Sequence, residues 1–136
     1  MQVIRSTESR RTETANAVMT TLASPTQGRA AQAVWRVEMV PGHAGPLHGI
    51  DAEQVWTVLD GGASVEAGDQ TAMLGPGDTI VLPAGIARRI TADQESGLAA
   101  IVAAPATMRA YVLSGDAAGP HAPVADADKV LPPWVA

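Results

Sequence analysis

The chain has 136 residues, 46% of them hydrophobic, and 14 acidic side chains against nine Lys and Arg give a net charge of −5. That length holds one domain with a buried core, and the negative balance argues against nucleic acid or an anionic membrane as partner. Cysteine is absent, which excludes disulfides, thiolate nucleophiles and cysteine-ligated zinc.

No apolar run is long enough to cross a bilayer, and residues 1–17 lack the apolar core of a secretory signal. A cytoplasmic protein is expected. Eight Arg against one Lys in an Ala-rich chain fit a GC-rich bacterial source. No internal repeat is visible, so a single domain over 1–136 is expected. Its parts are a polar N-terminal segment at 1–17, a core at 18–113 and a Pro- and Ala-rich tail at 114–136.

In chain order, Val3-Ile4 is the one apolar pair of the first segment, an edge strand or a frayed end. Residues 18–23 read as a strand closed by the turn signal Ser24-Pro25-Thr26-Gln27-Gly28. Residues 33–40 alternate with Trp35, Val37 and Met39 on one face and Arg36 and Glu38 on the other, and Pro41-Gly42 stops them. Residues 54–59 are rich in β-formers and end at Asp60-Gly61-Gly62. Short strands follow at 63–67, 70–74, 79–82 and 88–91, then a last one at 98–103. Residues 104–111 fit either a helical turn or a further strand. Turn signals every few residues, without a long 3.6-residue period, predict an all-β barrel or sandwich.

Two motifs stand inside this pattern. Gly42, His48, Ile50, Gln54 and Gly61 are separated by five, one, three and six residues. Gly77, Pro83, Gly85 and Arg88 are separated by five, one and two. The spacing resembles the two motifs of the cupin superfamily, which implies a double-stranded β-helix, or jelly-roll barrel, with a metal commonly held in the lumen. Where the family pattern has a second His, a Glu and a last His, this chain has Ile50, Gln54 and Arg88. The resemblance therefore leaves His48 and Gln54 as the available ligands. Ile50 has no donor atom, and a cationic Arg88 repels a divalent ion. No tightly bound metal is expected.

Side chains at i and i+2 of a strand share a face, so His48 and Ile50 point into the lumen, as do Gln54, Trp56 and Val58. Arg88 is placed inward by the resemblance. There it reaches the mouth or meets an anionic ligand, unless it snorkels outward on its stem. His43 is expected on the mouth loop in solvent, and His121 exposed in the tail. A one-residue bulge would bring Glu53 inward in place of Gln54, against the count to Gly61. Asp51, Asp60, Asp78 and Asp93 read as turn residues.

No phosphate loop, Ser-His-Asp order, HExxH or GxGxxG is present. Three functions remain. One is a metal-free isomerase, lyase or cyclase for a small aromatic or polyketide-like molecule. There His48 acts as general acid or base, Arg88 stabilises an oxyanion, Gln54 assists, and Trp35, Met39, Ile50 and Trp56 hold the substrate. Another is a metal-dependent dioxygenase or polyketide-cyclase-like enzyme using His48 and Gln54. The last is a ligand-sensing module without chemistry. The resemblance also implies a homodimer, and Leu131-Pro132-Pro133-Trp134-Val135 is apolar enough to cover a barrel face.

Overall fold

A computed structural model describes residues 1–113 and 128–136. Among them are eleven strands, one 3₁₀ turn at Ser6–Glu8 and no α-helix. The strands are β1 (Arg10–Glu13), β2 (Val18–Ala23), β3 (Gln32–Met39), β4 (His48–Ile50), β5 (Gln54–Gly61) and β6 (Ala63–Ala67). They continue with β7 (Gln70–Leu74), β8 (Thr79–Leu82), β9 (Arg88–Ala92), β10 (Leu98–Pro105) and β11 (Ala110–Val112). They form two antiparallel sheets, β1-β2-β3-β10-β5-β8 and β11-β4-β9-β6-β7, which face each other as a jelly-roll barrel. Among the described residues no helix is long and apolar enough to cross a membrane.

Period-2 alternation builds the core. β3 buries Ala33, Trp35, Val37 and Met39, and β5 buries Gln54, Trp56 and Val58. Between them β10 offers small side chains beside the two indoles: Val102 pairs with Trp35 and Trp56, and Ala100 with Val37 and Val58. A slim central strand leaves room for both indoles to project between the sheets. The motif glycine Gly61 has φ +70°, and a Cβ on it would collide with the Gly97 carbonyl across the β5–β10 pair. Only glycine suits that corner.

All eight strands expected from the alternation are present, with the predicted bounds at Val18–Ala23, Ala63–Ala67, Gln70–Leu74 and Thr79–Leu82. Two more join them. β1 is short and charged, and it pairs only with β2 at the sheet edge, where charge guards against further pairing. β11 is the far end of the ambiguous 104–111 stretch and pairs with β4. Val3-Ile4 forms no strand; the Ile4 side chain instead lies over Gly28.

The last residues fold back onto their own barrel. Val130 and Ala110 exchange backbone hydrogen bonds at 2.8 Å. Thr21, buried on β2, donates from Oγ1 to the Trp134 carbonyl at 2.8 Å. Ser24, Thr26 and Arg10 converge on the backbone oxygen of Ala136 at 2.7–2.8 Å. These bonds explain two polar side chains sunk in an apolar region, and they seat Val135 at 0% exposure within the core. His121 lies outside the described residues.

Seating a charge at Val135 sets that docking against desolvation. Val135→Asp is expected to lower the unfolding free energy by about 3 kcal/mol in a urea titration. A change under about 0.5 kcal/mol, the range of ordinary surface substitutions, would show the tail to be undocked in solution.

Candidate functional site

The two sheets part at one end around a cavity of about 910 Å³. β3 contributes Trp35 and Met39, β4 His48 and Ile50, β5 Gln54 and Trp56, and β9 Ile90. Every inward residue named from the i, i+2 rule on these strands is inward, so the assigned register holds on β4 and β5. Val37 and Val58, expected in the same lining, are fully packed in the core beneath and do not reach the cavity. Three large residues that the motifs do not mark complete the wall: Met108, Tyr111 and Trp134. Gly49 was the available signal for Tyr111. A glycine between two inward side chains marks a close approach, and a Cβ there would strike the Tyr111 ring.

His43 is exposed and off the cavity. Glu53 is exposed while Gln54 is 3% exposed, so no bulge exchanges them. Asp51 caps the tail-side loop by accepting from the Arg109 amide at 2.6 Å, and Asp78 and Asp93 accept from turn amides.

His48 is half-buried, and its Nδ1 lies 2.8 Å from the Pro46 carbonyl oxygen. A carbonyl only accepts, so Nδ1 carries the proton and Nε2 keeps its lone pair. Nε2 has no protein partner among the described residues and is not sealed from solvent. Burial holds the imidazole below its ordinary value of 6.5; the Pro46 carbonyl opposes this, and Arg88, its cross-strand partner on β9, adds to it. The result is a neutral base with one free nitrogen.

Arg88 is directed inward with 0% exposure, yet it does not line the cavity. It neither snorkels outward nor reaches the mouth. Its Nη2 donates to the Pro83 carbonyl at 2.7 Å, Nε to the Ile86 carbonyl at 3.2 Å, and Nη1 to Gln54 Oε1 at 3.3 Å. Burial pushes the guanidinium down to about 10, with Tyr111 opposing, so it remains a cation at neutral pH. Gln54 Oε1 also accepts from Trp56 Nε1 at 3.2 Å, and Gln54 Nε2 donates to Met108 Sδ at 3.6 Å.

The four motif positions thus meet, but their chemistry does not fit a divalent metal. His48 offers one nitrogen and Ile50 none. The Gln54 oxygen is already bound by two N–H donors, and Arg88 places a positive charge where an ion needs electron pairs. Among the described residues no cluster of three His, Cys, Asp or Glu offers another place.

The depressed His48 proton affinity links to stability with a definite sign. The unfolded state takes up a proton near 6.5 and the folded state only at lower pH, so stability is full above 6.5 and falls as pH drops below it. Each tenfold difference in proton affinity contributes about 1.4 kcal/mol. Urea unfolding between pH 7.5 and 5 is expected to show this loss in the native chain and a shallower one in His48→Gln. Equal slopes would place His48 in solvent.

The Cupin domain family matches residues 35–103. No curated protein matches in sequence. Among solved structures, a cupin-2 domain from Rhodospirillum rubrum superposes with TM-score 0.66 and 15% identity, over 73% of this chain and 66% of that one. The polyketide cyclase RemF from Streptomyces resistomycificus superposes with TM-score 0.69 and 21% identity, over 85% and 89%. Oxalate decarboxylase from Bacillus subtilis gives TM-score 0.68 and 16% identity, over 75% of this chain but 28% of that one. The chain therefore spans just under two thirds of the first and little more than a quarter of the last. At these identities the likeness establishes the fold. Strand order, motif glycines and family match agree: this chain belongs to the cupin domain family.

Proposed function

We propose that the cavity binds a flat, largely apolar small molecule, such as an aromatic or polyketide-like ring system, and that His48 moves a proton on it without a tightly bound metal. The observation that carries this reading is one accessible imidazole nitrogen facing a wall of Trp35, Trp56, Met39, Met108 and Tyr111. Apolar pockets with few convergent polar groups are the usual form of small-molecule sites, and about 910 Å³ suits a multi-ring ligand. The likeness to a polyketide cyclase, over most of both chains, supports the same substrate class.

A neutral His48 takes a proton through Nε2 from a carbon or hydroxyl beside a carbonyl, and the imidazolium returns it at another atom. Proton out and proton back is an isomerisation. If the intermediate carbanion first attacks a second carbonyl, the outcome is ring closure. Tryptophan and methionine walls hold such a substrate through area rather than hydrogen bonds. Homodimer assembly belongs to the same proposal. Because the tail covers its own barrel, the pairing has to use another surface. Sedimentation at a mass of two chains is the expected result, and a monomer at high concentration would remove that part.

Two measurements test the core of the reading. The neutral fluorophore N-phenyl-1-naphthylamine is expected to bind saturably with micromolar affinity, and at least tenfold more weakly in Ile50→Trp, which fills the cavity floor. Absence of saturable binding, or equal binding in the two proteins, overturns the cavity as ligand site. Protein purified without a metal-binding tag is expected to carry far less than one metal per chain, because too few donors converge. Stoichiometric zinc, nickel or iron by elemental analysis overturns the metal-free part.

A further inference from the structure

Among the described residues no carboxylate pairs with Arg88. The ion pairs among the described residues, Arg11–Glu13, Arg36–Glu38 and Arg89–Glu66, all lie at the exposed surface. The acceptors of Arg88 are two backbone carbonyls and one neutral amide. A full positive charge therefore sits behind the cavity wall, where screening by solvent is weak.

Gln54 stands between that charge and the cavity, and its orientation is fixed chemically. The Trp56 indole and the Arg88 guanidinium can only donate, so the amide oxygen must face both of them. The amide nitrogen is turned the other way, toward Met108 and the cavity, where among the described residues a thioether is its only acceptor. One N–H is thus left for a ligand, on an amide polarised by two donors to its oxygen.

We propose that the cavity floor selects the conjugate base of a weak oxygen or carbon acid, a phenolate or enolate, with Gln54 Nε2 donating to the oxyanion and Arg88 acting through Gln54 as the positioning residue that supplies the charge. The inference rests on the cavity being the ligand site and goes further by naming the ionisation state it favours. An organic cation here supplies what a lumen metal supplies elsewhere: stabilisation of negative charge as a proton leaves. His48 already feels this field, since burial and Arg88 together disfavour its imidazolium. Among the described residues the other titratable groups around the cavity are Tyr111 on β11 and Asp128 at the rim; the β3 and β5 walls contribute none. Asp128 works in the opposite sense, but it is exposed and screened.

The probe is 4-nitrophenol, a chromophoric phenol whose phenolate absorbs separately from the acid, titrated with a chelator present. Bound to the native chain, its pKa is expected to fall by one unit or more, a tenfold or greater preference for phenolate. Gln54→Glu pairs the guanidinium with a carboxylate and removes the donor, so its bound phenol is expected to titrate at or above the free value. Arg88→Met, where it folds, is expected to behave likewise, and Gln54→Glu keeps the test decisive where it does not. If the naphthylamine binds while the phenol does not bind, or binds with an unlowered pKa, this inference fails and the cavity reading stands. If neither probe binds, both fail.

Discussion

An arginine buried without a carboxylate partner among the described residues sets the terms for the closed end of this barrel. Burying an unpaired ion costs several kcal/mol, and only close, well-directed hydrogen bonds offset that. Arg88 finds three oxygens at 2.7–3.3 Å, and each is fixed by the fold rather than by side-chain choice alone. Pro83 and Ile86 present their carbonyls from the connection between β8 and β9. Gly85 in that connection donates its amide to the Ile50 carbonyl at 2.8 Å, tying it to β4. The second motif's Pro and Gly therefore shape a loop that aims carbonyls at position 88, while Gln54 arrives from the opposite sheet. Cation, loop and both sheets form one unit.

The open end depends on the chain's other extremes. Thr14–Ala17, the turn between β1 and β2, and Pro132–Trp134 of the tail form much of the cavity rim. The tail is seated by Thr21, Ser24 and Arg10 on β1, β2 and the turn that follows. Any ligand touching Trp134 thereby stabilises tail docking, and docking strengthens binding by the same factor, because linkage is reciprocal. A positively charged floor and a rim built from the two end segments thus meet in one cavity.

Much of this was legible because the barrel writes its inner face every second residue. The alternation placed His48, Ile50, Gln54, Trp56, Trp35 and Met39 on the cavity wall without reference to any contact. The parts that were not legible share a physical reason. β1 is an edge strand, so its charged sequence carries no core signal. Tyr111 and Met108 come from a stretch of 104–111 too short and too mixed for a period to emerge, and Trp134 reaches the rim from the tail, well beyond both motifs. Arg88 was open between the mouth, an anionic ligand and outward snorkelling, and the carbonyls of Pro83 and Ile86 that hold it were not foreseen. Hydrogen-bonding to backbone carbonyls depends on loop geometry, which side-chain periodicity does not encode.

The three departures from the metal-binding pattern are coupled. A carboxylate at position 54 would lie against Arg88 and be consumed in an ion pair, so it would serve neither a metal nor a ligand. A histidine at position 50 would add a nitrogen donor close to a fixed cation, which disfavours any divalent ion entering beside it. Gln54 is the residue that tolerates Arg88 while leaving its charge uncancelled: its oxygen accepts from the guanidinium, and its nitrogen keeps one N–H beyond the Met108 contact. Ile50 fills the vacated ligand volume with apolar surface and keeps water from screening that charge. Gln54 and Ile50 are thus both compatible with a buried Arg88, on grounds of desolvation and hydrogen bonding. Together they leave the positive charge behind the cavity floor as part of the chain itself.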